Sequence, residues 1–476
     1  MRSGALAIVV LLVAAVSGAA AVAAPEPSVK ACALGSSAAD LKGFFAAELA
    51  RAERPVPKAQ RASFAAGVAA YVYGLAPVSV SETTQRFPEN QLLSIAALTD
   101  PAVRTVVLPN VDTTYTVGRL QLAGGPRVLD VPDTAGRYYV IQLLDAYSNT
   151  FTYVGRRTTG TRAGSYAVVP LGYRGTLPAG VKRIQSPTNL VWVLGRTLVR
   201  DAADMPAVAA LMGGYRFTAI DAWTAGQRQN SLVLDAFPTV APPELPEGLD
   251  YFAGLGEILA TDPPPERDAC ALRVFARAGV GPGKQPTAQT LVAAVQAGKR
   301  IVRRAEQRAN RYGAKRNNGW LVPGRYIGAY GTNYLGRAII ATAALGANTP
   351  PETVYPLAVA DATGRPLSGR QRYTIRFPRG QLPPAKAFWS VTIYGKDRYL
   401  VPNPIDRYAI GDRTKGLRRG RDGSLTIHVQ HARPRGAAAA NWLPAPSGSF
   451  RLAMRIYEPR RRVLSGRWLP PPVQRR

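Results

Sequence analysis

Histidine and cysteine are nearly missing, with two of each in 476 residues. That shortage excludes zinc fingers, His-rich metal centres, Cys-ligated iron–sulfur clusters and disulfide-dense scaffolds, which all need more imidazoles or thiolates than the chain owns. Acidic residues are scarce too: 30 Asp and Glu stand against 60 Lys and Arg, a formal charge of +30. Charged residues nevertheless make up only 19% of the chain and apolar ones 46%, which excludes a disordered polyelectrolyte and leaves a globular protein of two or three domains. There is no Gly-x-Ser-x-Gly elbow, no Ser-x-x-Lys, no P-loop and no dinucleotide Gly-x-Gly-x-x-Gly.

Both histidines lie in Ser424-Leu425-Thr426-Ile427-His428-Val429-Gln430-His431. On a strand, Leu425, Ile427 and Val429 form the core face and His428 points outward with Thr426 and Gln430. His431, three residues on, falls on the opposite face, so a flat strand cannot bring both rings to one metal. No metal site and no cofactor are expected. His428 is the better candidate if an imidazole base operates at all.

What is present begins with an export signal. Met1-Arg2 is a short positive start, Leu6 to Val16 is almost purely apolar, and Ala21-Val22-Ala23 supplies small residues for cleavage near Ala23. The run is short for a membrane span, which needs ~20 apolar residues, although an uncleaved anchor is the alternative. No later stretch reads as a transmembrane span. A secreted or extracytoplasmic chain is therefore expected, and Cys32 and Cys270 either pair across a long loop or remain separate thiols.

The positive charge is carried by fifty Arg and ten Lys. Guanidinium groups grip carboxylate and phosphate bidentately, which suits an anionic wall polymer, an anionic lipid or a nucleic acid. The other reading is compositional, since Ala, Gly, Pro and Arg rise together in GC-rich genomes. An exported chain meets little chromosomal DNA, so no specific nucleic-acid partner is expected. The stripe Arg300, Arg304, Arg308, Arg311 and Lys315 is either an anion-binding ridge or a solvated helix face.

Periodicity divides the chain into regions. Helices are predicted over 37–52, behind the capping-box start Ser37-Ala38-Ala39-Asp40, and over 61–76, where Pro77 should end the second. Short strands follow: Val103–Leu108, Tyr115–Leu122, Arg137–Leu144, Ser165–Val169 and Leu190–Leu194. The third is apolar on both faces, the mark of a strand in the middle of a covered sheet. Residues 204–346 read as helical, with one face running Leu291, Val295, Gly298, Val302, Ala305, Ala309 and Tyr312. From Thr353 the alternation returns. Tyr373, Ile375 and Phe377 form one core face, and Phe450, Leu452, Met454 and Ile456 another, with Arg451, Arg455 and Tyr457 on a wet side. The expected fold is mainly β with a helical insert. Its parts are a signal peptide at 1–23, a helical lead-in at 24–60, an N-terminal antiparallel β-sandwich at 61–203, a helical region at 204–346, a C-terminal jelly-roll-type β-sandwich at 347–460 and a basic tail without regular structure at 461–476.

Carboxylates are the best chemical candidates. Asn110-Val111-Asp112-Thr113-Thr114-Tyr115 is a turn entering a strand, and Asp145 ends the buried strand just before Tyr147, Ser148 and Asn149. If those ends meet, Asp112 and Asp145 form a pair ringed by Asn110, Thr113, Tyr115 and Asn149, fit for acid–base work on a glycosidic or ester bond, or for a hard cation. Otherwise Asp112 closes an Asx-turn and Asp145 caps a loop. Two polar-aromatic turns, Asn403–Tyr408 with Arg407 and Tyr408, and Asn441-Trp442, could face one another over a ligand. Trp442 either stacks on a sugar or plugs a loop.

Several of these stretches resemble one bacterial family, the tandem of domain of unknown function 1254 followed by domain of unknown function 1214. The first half is carried by residues 109–115, by DVPDTAGRYYVIQLLD at 130–145 and by SPTNLVWVLGRT at 186–197. The second is carried by GTNYLGRA at 331–338, FWSVTIYG at 388–395, DGSLTIHVQ at 422–430 and residues 441–446. The resemblance implies a β-sandwich, an intervening helical part and a jelly roll, and it brings no agreed activity or catalytic residues. Three readings remain: an exported protein that binds an anionic or carbohydrate ligand of the cell envelope, a hydrolase using Asp112 and Asp145, or a self-assembling homo-oligomer.

Overall fold

The computed structural model describes residues 28–30, 32, 39–105, 107–239, 241, 243–308, 315–322 and 324–476. The signal segment 1–23, Ser37-Ala38, Ala309 and Tyr312 of the long helical face and Arg311 of the arginine stripe lie outside them. The helices are α1 (Ala39–Glu53), α2 (Arg61–Thr84), α3 (Met205–Gly213), α4 (Ile220–Thr224), α5 (Gly248–Thr261), α6 (Ala269–Ala276), α7 (Thr290–Gln307), α8 (Tyr334–Ala343) and α9 (Arg461–Leu464). In the first half the strands are β1 (Leu93–Ile95), β2 (Thr113–Gln121), β3 (Arg127–Val131), β4 (Tyr139–Asp145), β5 (Thr150–Gly155), β6 (Gly164–Val169), β7 (Val181–Gln185), β8 (Leu190–Leu198), β9 (Arg216–Ala219) and β10 (Leu232–Leu234). In the second they are β11 (Lys315–Asn317), β12 (Trp320–Val322), β13 (Thr353–Val354), β14 (Leu357–Ala358), β15 (Tyr373–Phe377), β16 (Trp389–Gly395), β17 (Ala409–Gly411), β18 (Leu425–Gln430), β19 (Trp442–Pro444), β20 (Phe450–Tyr457) and β21 (Val473–Arg475). Helix and strand take nearly equal shares, so the protein is a mixed helix and sheet chain with several sheets.

Four sheets arise from these strands. One runs β10-β1-β2-β8-β4-β5, and a second runs β7-β6-β3-β9. Leu129, Val131, Tyr166 and Val168 of the second meet Leu120, Ile141, Leu143, Val191 and Val193 of the first in one core. In the second half a sheet ordered β11-β12-β14-β20-β16-β17, with β13 also on β20, faces another ordered β19-β18-β15-β21. Alternation assigns the faces: Leu452, Met454 and Ile456 of β20 and Val391 and Ile393 of β16 point into that core. The opposite side, expected to be wet, is not: Arg455 and Tyr457 are buried against the first half. Every residue of β4 is buried, as its two apolar faces predict, because it lies inside the first sheet with helices on one side and the second sheet on the other.

The helices cover the free face of the first sheet. Helix α2 is central and packs on α5, α6, α7 and α8. It is long and apolar enough by composition to cross a membrane, yet it is almost wholly buried in this layer. It also does not stop at Pro77. A helical proline leaves the carbonyl four residues earlier without its N–H partner, and here the Arg337 guanidinium donates to that carbonyl, Tyr73 O, at 2.9 Å. One helix thus repairs another's missing bond, a tertiary effect that propensity cannot report. Cys32 and Cys270 are disulfide-bonded, with Cα atoms 5.5 Å apart, tying the segment before α1 to α6.

Other expectations change as well. The described residues 103–105, 107 and 108 do not form a strand; Asp100 caps the turn there by accepting the Ala102 and Val103 N–H groups, and Leu108 has a φ of +53°. Between 204 and 346 the helices are interrupted by β9 and β10, which complete the first-half sheets. The tail also has structure. Trp468 and Val473 enter the second core and β21 pairs with β15, because two apolar side chains suffice to hold a short segment once a sheet edge is open.

Candidate functional site

Asp112 and Asp145 occupy opposite ends of the first sheet. Asp112 O accepts the Val199 N–H just beyond one end of β8, whereas Asp145 pairs with Val191 near the other. Eight residues of strand at ~3.3 Å each separate them by roughly 26 Å, far beyond the spacing of about 9.5 Å that bounds a glycosidase pair. The acid–base pair is not assembled.

Asp145 instead caps its own loop. Its Oδ1 accepts the Tyr147 and Asn149 N–H groups at 2.9 and 2.8 Å, and the Asn149 amide donates to Oδ2 at 3.0 Å. Burial pushes its carboxyl up to about 6, against the lowering effect of the Asn149 hydrogen bonds and of Arg337. Asn149 in turn accepts the Tyr330 N–H, so both residues are absorbed in the joint between β4, β5 and α8. Asn441 and Trp442 are likewise structural. The Asn441 amide bridges Arg418 and Thr426, and the buried indole of Trp442 donates to Gln430 O at 2.8 Å. Trp442 is a plug, not a sugar platform. His428 is half-buried on the outer face of β18, opposite Thr374, and its pKa is lowered by burial and then by Arg476. His431 bonds Ala445 O.

Asp112 belongs to a cleft between the two halves. The cleft, about 500 Å³, is lined by Thr99, Asp100, Asp112, Arg200, residues 405–409, Gly411, Arg413 and Thr414. It adjoins a hollow of about 710 Å³ that shares Asp100, Asp406 and Tyr408 and adds Pro101, Ala102 and Pro402. One wall is the turn 403–408, pinned because Asn403 Oδ1 accepts the Ile405 and Arg407 N–H groups and its amide donates to Arg407 O. Asp406 takes the left-handed conformation at φ +46°, which turns its carboxylate back to accept the Tyr408 hydroxyl at 2.9 Å. Partial burial, and after it Asp406, push the Tyr408 phenol up to about 12. Arg407 donates to Ala440 O and Trp442 O, which holds this wall to β19. At the floor, Asp112 accepts from Ser390 Oγ and from the Arg413 guanidinium, each at 2.5 Å.

Asn110, Thr113 and Tyr115 lie behind that floor, where the outer face of the β16–β20 sheet meets the first sheet. The Asn110 amide donates to Thr113 Oγ1 at 2.8 Å and to the Tyr457 hydroxyl at 2.7 Å, and its oxygen accepts the Asp112 N–H. Tyr115 stands opposite Arg196 on β8, whose guanidinium lies 5.9 Å from its ring. Sequence reasoning missed Asp100, Arg200 and Arg413 in the cleft and Arg196, Tyr355, Arg455 and Tyr457 in the junction. A signal existed for Arg196, which follows Leu190, Trp192 and Leu194 at even spacing and so belongs to an apolar face.

The described residues thus form two facing pairs of sheets, a helical layer against the first pair and a polar cleft between the halves. The model of the protein of unknown function DUF1254 matches residues 89–219, and that of DUF1214 matches residues 352–461. The chain belongs to this tandem family. The crystal structure of the VPA0106 protein from Vibrio parahaemolyticus is similar over 87% of this chain and all of its own, with a TM-score of 0.65 and 23% identity. A putative uncharacterized protein from Burkholderia cenocepacia aligns over 91% of this chain and 95% of its own at a TM-score of 0.42 and 13% identity. No curated protein matches the chain.

Proposed function

We propose that this is an exported binding protein that takes a neutral, polyhydroxylated ligand, a saccharide of the cell envelope, into the cleft around Tyr408. The observation that carries this reading is local charge balance. In a chain of net charge +30, the cleft sets three guanidinium groups, Arg200, Arg407 and Arg413, against three carboxylates, Asp100, Asp112 and Asp406. A simple anion would gain little there, whereas vicinal hydroxyls need donors and acceptors side by side. The Tyr408 ring, Ile405 and the prolines 101 and 402 add apolar surface for the faces of sugar rings. Export is supported by the apolar leader with its small-residue cleavage site and by the disulfide, a bond that persists in oxidising compartments. The facing sheets are read as two β-sandwiches, the second of jelly-roll type. The hydrolase reading loses its support with the separation of Asp112 and Asp145.

The test is calorimetric titration of the mature protein with neutral tetrasaccharides: chitotetraose, cellotetraose and maltotetraose. Binding by at least one is expected, with Tyr408→Ala and Asp406→Asn each weakening it about tenfold at an unchanged melting temperature. Absence of binding at millimolar sugar, or full affinity in both variants, would refute the assignment.

A further inference from the structure

Arg196 and Arg455 come from different halves of the chain and are both more than nine-tenths buried. Among the described residues neither guanidinium is hydrogen-bonded to a carboxylate. Arg196 donates to Gln142 Oε1, Asn348 Oδ1 and Gly346 O, all neutral. Arg455 donates to Thr392 Oγ1, Leu108 O and Pro109 O and lies over the Tyr394 ring. Asp112, the carboxylate that raises the Arg455 pKa, has both oxygens taken by Ser390 and Arg413. Buried guanidinium ions with no charged partner are costly, and proteins ordinarily pair them.

Three phenols lie beside these arginines. Each accepts a hydrogen bond from an amide: Tyr115 from the Asn110 N–H, Tyr355 from the Asn348 N–H and Tyr457 from the Asn110 side chain. A phenol has one proton to give as well, and among the described residues none of these three has an acceptor for it. Tyr115 and Tyr355 are only half-buried although they stand between the halves, and the Phe237 ring meets Tyr115 edge-on, 6.2 Å away. Contacts join all five: Asn110 bonds the Tyr115 and Tyr457 hydroxyls, Asn348 bonds Arg196 and the Tyr355 hydroxyl, Arg196 lies 5.9 Å from the Tyr115 ring, and Arg455 donates to the O of Pro109, the residue before Asn110. None of the five carries a negative charge, and what they have left to offer is N–H and O–H donors.

The geometry points to an oxyanion site at this junction, in which Arg196 and Arg455 clamp a carboxylate or phosphate group and the Tyr115, Tyr355 and Tyr457 hydroxyls donate to it. Charge-assisted bonds from two guanidinium groups would supply the missing counter-charge, and the phenols would satisfy the remaining lone pairs. Because the two arginines sit on β8 and β20, the bound anion would also fasten the first half of the chain to the second. This site is separate from the saccharide cleft, on the other side of Asp112.

Inorganic phosphate and glucuronate, the latter standing for carboxylates, are the probes. Thermal unfolding and calorimetry of the full mature protein are compared with sodium chloride of equal ionic strength. One of the two anions is expected to raise the melting temperature and to bind, which tells phosphate from carboxylate. Arg196→Gln and Arg455→Gln should each weaken binding at least tenfold, and Tyr355→Phe, which removes a single half-buried hydroxyl, about fivefold. Arg300→Gln on α7 and Tyr408→Ala in the cleft should leave it unchanged, so this result and the sugar titration stand or fall separately. No stabilisation by either anion, binding that survives in Tyr355→Phe and in whichever arginine variant folds, or equal loss in Arg300→Gln would overturn the assignment.

Discussion

Replacing Asp145 by asparagine should change how stability depends on pH, and the sign is opposite to that of an ordinary salt-bridged carboxylate. Burial raises the folded carboxyl from 3.8 to about 6, with the Asn149 hydrogen bonds and Arg337 recovering only part of the cost. Between those pH values the native state holds a proton that the unfolded chain has released, so this group makes stability fall as pH rises. The interval of about two pH units, at ~1.36 kcal/mol each, amounts to about 3 kcal/mol, in full force above pH 6. The substituted amide cannot ionise but keeps an oxygen for the Tyr147 and Asn149 N–H groups that Asp145 now satisfies. Denaturant unfolding of both proteins in half-unit steps from about pH 3.5 to 7.5 isolates the effect, since distant groups cancel in the difference. At the acid end the difference reports only the exchange of a neutral acid for an amide. From there to about pH 6.5 the variant should gain about 3 kcal/mol relative to the parent. A difference that stays flat, or moves the other way, would show that Asp145 is charged in the folded protein at low pH and that its environment is not the dry joint described above.

Two further predictions concern other parts of the structure. Arg137 and Asp204 form a bidentate pair, both about one-tenth exposed, and the Arg137 hydrogen bonds hold the Asp204 carboxyl down at about 2. The stability it contributes is complete above about pH 4 and is lost as pH falls toward 2. Arg137→Met should cost about 3 kcal/mol at neutral pH and flatten that acid limb in urea unfolding; an unchanged limb would contradict the pairing. Gly298 of α7 lies against Tyr71 of α2, and a Cβ there would come within 2.3 Å of the ring. Gly298→Ala should therefore destabilise by about 1–3 kcal/mol despite its better helix propensity, and a variant more stable than the parent would mean that α2 and α7 do not pack so closely.

Local patterning carried much of the fold. The both-faces-apolar run before Asp145 is buried throughout, alternate positions of β15, β18 and β20 fill the second core, and the face Leu291, Val295, Gly298, Val302 of α7 packs on α2. Where reading failed, a distant partner had altered a local rule. Pro77 does not end α2 because Arg337 takes over the freed carbonyl. Arg455 and Tyr457 are not wet because another sheet covers them. The tail after Glu458 is ordered because β15 leaves an edge for β21. In the sites, Asp112, Arg407 and Tyr408 were legible as a turn aspartate and a polar-aromatic turn, and all three line the cleft. Asp145 and Asn149 were grouped with Asp112 only on the supposition that the ends of β2 and β4 meet. Those two strands run parallel on either side of β8, so the start of one and the end of the other lie a full strand length apart.

Composition and period by themselves determined which reactive side chains are scarce and how the elements alternate, because side-chain type and local spacing are written in consecutive residues. They settled that imidazole and thiolate chemistry has almost no material here, and which strand faces are apolar. Tertiary structure alone decided which polar groups meet, that Cys32 reaches Cys270, and that two arginines far apart in the chain, Arg196 and Arg455, are buried in one junction. Such encounters depend on strand order and on the packing of one half upon the other, and no local period encodes either.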